Sequence, residues 1–199
     1  MTKVVVMNSV TLDGVMQAPG RPEEDTRDGF THGGWAAQYM DDQAQAAMQA
    51  RVAEGGGLRL LLGRRSYEDM LGYWNTQDSP FKDGLNHAPK YVASRSAREP
   101  LPWPNSTLLE GDVAEAVVQL KRDLTEDLTV MGSGDLLQTL MRRDLIDEYL
   151  LFIAPVVFGT GRRLFREGSP PASLRLVDST TTGTGLIIAA YQPASHSPT

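Results

Sequence analysis

Leu58-Arg59-Leu60-Leu61-Leu62-Gly63-Arg64-Arg65-Ser66-Tyr67-Glu68 is the stretch on which the fold turns. Leu58 to Leu62 is short, mostly apolar and preceded by Gly55-Gly56-Gly57, the pattern of a buried strand bounded by a turn signal. Gly63 ends it, and Arg64 to Glu68 opens a helix. A strand that feeds straight into a helix is the repeating piece of a parallel sheet covered on both faces.

The same piece recurs outward in both directions. Upstream, Val4 to Met7 is a β-branched strand that leads to a turn at Leu12-Asp13-Gly14. Residues 17–34 hold Pro19, Pro22, Gly29, Gly33, Gly34 and four acids, a loop long enough to predict a lid or flap. Trp35 to Ala53 reads as a helix with Trp35, Tyr39, Ala46 and Met48 facing inward. Downstream, Lys90 to Ser94 reads as a strand, with Pro80 and Pro89 as helix breakers before it. Pro100, Pro102 and Pro104 stiffen a connector around Trp103.

Ser106 to Leu109 is a further strand, and Asp112 caps a helix whose Val113, Ala116, Val117 and Leu120 share one face. Leu128 to Met131 is a strand, Gly132-Ser133-Gly134 interrupts it, and Asp135 to Arg143 is a helix. Ile146 to Ile153 is a long apolar strand, and 173–182 with 185–192 form a closing antiparallel pair. The prediction is an α/β fold of three layers. Its central sheet is mixed but mostly parallel, with helices on both faces and an antiparallel C-terminal strand pair. One domain is expected over residues 1–192, followed by a polar tail at 193–199.

Composition narrows the function classes. With 199 residues, 41% of them hydrophobic and 22% charged, the chain can bury a core with a pocket in it. The absence of cysteine excludes disulfides and thiolate chemistry, and no cluster of His, Asp and Glu has metal-ligand spacing, so no metal is expected. The net charge of −6 argues against nucleic acid or an anionic membrane as partner. Neither a secretion signal nor a membrane span is present in the sequence pattern, so the expected location is cytoplasmic. A small-molecule substrate and a homodimer are the expected partners.

In a parallel sheet, ligands collect beyond the carboxyl ends of the strands. Three segments share that position: Gly63-Arg64-Arg65-Ser66, Ser94-Arg95-Ser96 and Gly132-Ser133-Gly134. Helix N-termini present unpaired N–H groups, glycine permits close approach, and arginine pairs with phosphate through two hydrogen bonds. Together they describe a seat for a nucleotide with several phosphates. The usual dinucleotide glycine fingerprint and the triphosphate-binding loop are both missing, which disfavours a Rossmann dehydrogenase and a P-loop enzyme.

Ser9-Val10-Thr11-Leu12-Asp13-Gly14, Gly63 to Glu68, Lys90-Tyr91-Val92-Ala93-Ser94-Arg95, Val130 to Gly134, and Pro155 to Phe165 occur in that order. This set resembles the dihydrofolate reductase superfamily over residues 3–192, and within it the reductase domain of bacterial riboflavin biosynthesis. The resemblance implies NADPH as cofactor and hydride transfer to a heterocycle or its opened sugar derivative. It implies that Gly63, Arg64, Arg65 and Ser66 hold the pyrophosphate and the 2′-phosphate side. Ser94 and Arg95 would frame the 2′-phosphate, with Gly132, Ser133, Gly134 and Asp135 cradling the pyrophosphate and Leu136 beside them. The deaminase often fused to that domain needs cysteines that this chain lacks, so no deaminase activity is expected.

For the substrate end, the expected residues are Asp13, His32, Trp35 and Tyr39, with the flap and the helix from Trp35 forming the substrate half of the cleft. A carboxyl group can orient the substrate or relay a proton, and Asp41, Asp42 and Asp13 are the candidates. Adjacent aspartates at a helix start also have a plain alternative role, complementing the helix dipole. Reduction of dihydrofolate or another pterin, and NADPH binding without catalysis, stay open beside reduction of a ribosylaminopyrimidine.

Overall fold

A computed structural model describes residues 2–95 and 100–194 of the chain. Ser96, from the second rim segment, and His196, from the tail, lie outside the described residues. Eight strands form a mixed sheet in the order β4-β3-β2-β5-β1-β6-β8-β7. The strands are β1 (Val4–Thr11), β2 (Leu60–Gly63), β3 (Lys90–Ala93), β4 (Ser106–Leu109), β5 (Leu128–Val130), β6 (Glu148–Ala154), β7 (Leu174–Thr181) and β8 (Ile187–Pro193). The helices are α1 (Asp42–Glu54), α2 (Arg64–Trp74), α3 (Pro80–His87), α4 (Val113–Asp123) and α5 (Gly134–Arg142). The chain divides into two compact units, Met1–Val5 with Val52–Ile146, and Val6–Arg51 with Asp147–Thr199.

In the first unit β2 pairs with β3, β3 with β4 and β2 with β5, all parallel. Their carboxyl ends therefore share one edge, and each of α2 and α5 starts from it. Leu60, Leu62, Tyr67, Leu71, Leu85 and Val92 are fully buried in one cluster. Removal of a buried side chain of that size from water is worth about 1.5–3 kcal/mol. Tyr67 keeps its hydroxyl satisfied by donating to Ser106 Oγ at 3.0 Å and accepting from the Trp103 amide at 3.2 Å. Asp112 caps α4 as expected, its Oδ1 accepting from the amides of Ala114 and Glu115.

Pro80 starts a helix here instead of breaking one. Ser79 is the cap, its hydroxyl accepting from Lys82 N at 3.3 Å, and Pro80 takes the first helical position, where a missing N–H costs nothing. The far end of α3 is closed by Lys90, whose buried ammonium donates to the carbonyls of Leu85 and Ala88 at 2.6 Å each. Burial lowers the Lys90 pKa from 10.5 to about 8.

In the second unit β6 pairs antiparallel with β8, and β8 antiparallel with β7. The closing pair expected from the sequence is thus present. β7 is the edge strand, exposed along nearly its whole length and bulged between Leu176 and Asp178. The segment from Trp35 corrects the sequence expectation. Only 37–39 form a short 3-10 turn, Met40 leaves helical backbone, and α1 begins at Asp42. Asp41 sets that start, because its Oδ1 accepts from the Ala44 amide at 3.0 Å. Ala44 is the buried residue of α1, and Ala46 is exposed, contrary to the inward face expected for it.

Candidate functional site

The rim of the first unit is built where β2 and β5 hand over to helices. Ser133 adopts left-handed backbone (φ 63°) at the cap of α5, and its Oγ accepts from Gly63 N at 2.8 Å. One hydrogen bond thus ties the β2–α2 corner to the β5–α5 corner, 70 residues apart. Gly132, also at positive φ (65°), faces Ser66: a Cβ added there would stand 3.3 Å from Ser66 Oγ. Arg95, at the end of β3, reaches the same place, its Nη2 pairing with Asp135 Oδ2 at 3.1 Å. The three rim segments expected from the sequence are therefore brought together.

The charge at this rim suits an anion. The first turn of α2 holds Arg64 and Arg65 and no acidic residue, so its helix dipole and its side chains carry the same sign. Arg65 is exposed. Arg64 lies along α2, pairing with Glu68 at 2.6 Å and reaching the Pro100 carbonyl at 3.4 Å. Arg95 and Asp135 are a solvent-facing pair, 88% and 53% exposed, which an incoming phosphate can displace at little cost. Leu136 differs from its neighbours, because its side chain is buried in the core.

The second unit gathers another set. Asp13, at the turn after β1, accepts from Thr11 Oγ1 at 2.6 Å, Gly159 N at 2.9 Å and Phe158 N at 3.3 Å. Arg163 adds Nε to the Asp13 carbonyl at 2.8 Å and Nη2 to the carboxylate at 3.4 Å. Burial pushes the Asp13 carboxyl upward, but the Thr11 hydroxyl and the amides of Gly159 and Phe158 outweigh it and hold the pKa at about 2. Asp13, a candidate for the proton relay, thus fastens the 156–163 turn through these bonds. Asp41 has a similar fate, since the Ala44 amide holds its carboxyl below the ordinary value and Thr184 Oγ1 lies 3.4 Å away. Asp42 is exposed in the first turn of α1, where a carboxylate complements the helix dipole.

His32 and Trp35 meet around a residue that sequence reasoning missed. Phe158 stacks face to face on His32 (4.6 Å between centroids, 7° between planes) and meets Trp35 edge-on at 6.1 Å. Phe30 closes the group edge-on to both His32 and Phe158. Tyr39 belongs to the 3-10 turn, and its carbonyl accepts from Thr184 Oγ1 at 2.9 Å. Gln17, buried and also unforeseen, organises the flap. Its Nε2 donates to the carbonyls of Asp25 and Arg27, its Oε1 accepts from Arg162 N, and its own carbonyl accepts from Trp35 Nε1. A buried glutamine flanked by Met16 and Ala18 carries no pattern that would single it out beforehand.

No helix among the described residues is long and apolar enough to cross a membrane. Among curated relatives, the chain is 28% identical over 138 residues to the uncharacterized protein YyaP of Bacillus subtilis, covering 66% of this chain and 72% of that one. Among solved structures, a candidate riboflavin biosynthesis protein from Shewanella sp. PV-4 superposes with a TM-score of 0.69 at 20% identity, over 97% of this chain and 99% of the other. A diaminohydroxyphosphoribosylaminopyrimidine deaminase/5-amino-6-(5-phosphoribosylamino)uracil reductase from Thermotoga maritima gives 0.63 at 13% identity, over 97% of this chain but 57% of that larger one. These structures share the fold. The model of the RibD C-terminal domain matches residues 2–188, nearly the whole chain, and with the rim geometry it leads to one conclusion: this protein belongs to the RibD C-terminal domain family, the branch that its motifs resemble.

Proposed function

We propose that this protein is an NADPH-dependent reductase that acts on a small heterocyclic compound, in the manner of the pyrimidine reductases of riboflavin biosynthesis. The observation that carries the reading is the Ser133–Gly63 hydrogen bond, which joins two helix starts at one rim and so supports a shared phosphate seat. Gly132 to Gly134 and the first turn of α5 would receive the pyrophosphate through backbone amides. Arg64, Arg65 and Arg95, with Ser66 and Ser94, would take the 2′-phosphate, which distinguishes NADPH from NADH. The chemistry supplied by the bound nicotinamide is hydride donation. On the substrate side, Asp13 fixes the turn that presents Phe158, and its ionised carboxylate acts by position, not by giving up a proton. The family match supports the reductase class. A cytoplasmic homodimer remains part of the reading; the exposed edge strand β7, with Leu176 and Val177 half open to solvent, supports a second copy as partner.

Titration with NADPH and NADH tests the cofactor assignment. Wild-type protein binds NADPH more tightly than NADH. In the Arg64→Ala/Arg65→Ala double variant, NADPH affinity drops on the order of 10- to 100-fold, the value of one or two charge-assisted phosphate contacts, and NADH affinity changes little. Equal weakening of both cofactors contradicts the 2′-phosphate role.

A further inference from the structure

The second unit is depleted of usable positive charge. It contains no lysine, and its seven arginines face eleven carboxylates. Arg27 pairs with Asp25, Arg51 with Glu148, Arg162 with Asp28 and Arg163 with Asp13. Its helix start, a common phosphate seat, is already filled by the Asp41 carboxylate, with Asp42 behind it. The flap itself carries Glu23, Glu24, Asp25 and Asp28 against Arg21 and Arg27.

What this unit offers instead is apolar and flat. His32 is exposed, lies parallel to Phe158, and has no hydrogen bond to its ring nitrogens among the described residues. Leu12 and Val157, 60% and 63% exposed, stand on the two turns that Asp13 and the Leu12 N to Val156 O bond (2.9 Å) hold together. Those side chains remain open to solvent on a backbone that is otherwise fixed, exposed apolar surface of the kind that marks a contact with a ligand.

From this we propose that the substrate is a planar heterocycle without a phosphate group, received by the His32–Phe158 stack and the Leu12 and Val157 side chains. The inference rests on the reductase reading and narrows it, because beside the 156–163 turn and the flap the phosphorylated sugar of a ribosylaminopyrimidine 5′-phosphate would meet an acid-rich loop and two arginines, Arg162 and Arg163, already paired with Asp28 and Asp13. A doubly charged group placed there would displace an existing ion pair or stand against acidic neighbours, and either route weakens binding.

Riboflavin and FMN test the idea, since they share one ring system and differ by one phosphate. Each is titrated into the full-length protein saturated with NADP⁺, so that the cofactor cradle is not available to FMN. Riboflavin is expected to bind at least about tenfold more tightly than FMN. Asp28→Asn, which suits the left-handed backbone at that position and releases Arg162, narrows the gap several-fold by improving FMN alone. Phe158→Ala weakens both ligands. FMN binding as tightly as riboflavin to the wild type overturns the proposal, and so does failure of both to bind. NADP⁺ affinity measured in the same samples separates the two levels: if it is intact while the flavin preference fails, only this inference falls, and if NADP⁺ itself does not bind, the reductase reading falls.

Discussion

The two units handle charge in opposite ways. Around α2 and α5 the helix starts carry no side-chain cap, the first turn of α2 is cationic, and the Arg95–Asp135 pair lies in solvent. Around the flap and the 156–163 turn, carboxylates cap the helix, engage the arginines and fasten the turns. The contrast is the basis for assigning phosphate to one unit and the substrate ring to the other in the proposed reading. A rim whose donors are backbone amides and guanidinium groups held in surface ion pairs can accept phosphate by exchanging weak ion pairs for stronger ones. A unit in which Arg27, Arg51, Arg162 and Arg163 are already paired with carboxylates suits, under the proposed reading, a ligand recognised through apolar and aromatic contact.

Four perturbations sharpen or break that contrast. The largest effect is expected at Gly161, which has φ of 104° and whose added Cβ would stand 2.8 Å from both Phe30 and Val15. Gly161→Ala combines left-handed strain with overpacking and should cost about 3 kcal/mol in a urea melt. A loss below about 1 kcal/mol would mean that the aromatic group of the second unit is loosely held and no fixed platform.

Asp13→Asn comes next, at about 2 kcal/mol, because the hydrogen bonds it weakens are charge-assisted. Its pH dependence has a definite sign. The folded pKa of about 2 lies below the ordinary 3.8, so the carboxylate contributes fully above pH 4 and its contribution fades as pH falls through 2. The stability gap between wild type and Asp13→Asn should close over that acidic window. A gap that persists unchanged at pH 2 would remove the ionised anchor from the account.

Ser133→Ala should cost about 1 kcal/mol of stability, the ordinary value of one intramolecular hydrogen bond, and weaken NADPH several-fold by loosening the cradle. Unchanged NADPH affinity in a folded variant would detach the corner from the cofactor. The smallest effect concerns Lys90. Its folded pKa of about 8 lies below the ordinary 10.5, so between these values the unfolded chain binds more protons and unfolding free energy rises with pH. Comparison of thermal melts of wild type and Lys90→Met from pH 8 to 10.5 should show that rise in the wild type alone.

The first unit was the more readable of the two from sequence. Parallel strands place their carboxyl ends together by geometry, so Gly63, Ser94 and Gly132 could be assigned to one edge without any knowledge of contacts. The exception is α3, where Pro80 has opposite meanings inside a helix and at its first position, and only the capping role of Ser79 decides between them. In the second unit the determining contacts span long loops. Phe158 meets His32 and Trp35 across more than a hundred residues, and no periodicity announces such a meeting. Asp41 and Asp42 read from sequence either as catalytic candidates or as dipole-complementing residues, whereas the hydrogen bonding of Asp13 depends on amides from 158 and 159 that the sequence does not place beside it.

A crystal structure of the protein soaked with NADPH addresses the central claim most directly. The pyrophosphate is expected against Gly132, Ser133 and Gly134, and the adenosine 2′-phosphate among Arg64, Arg65 and Arg95. Cofactor density that leaves these residues untouched, or a 2′-phosphate that points into solvent away from all three arginines, would contradict it.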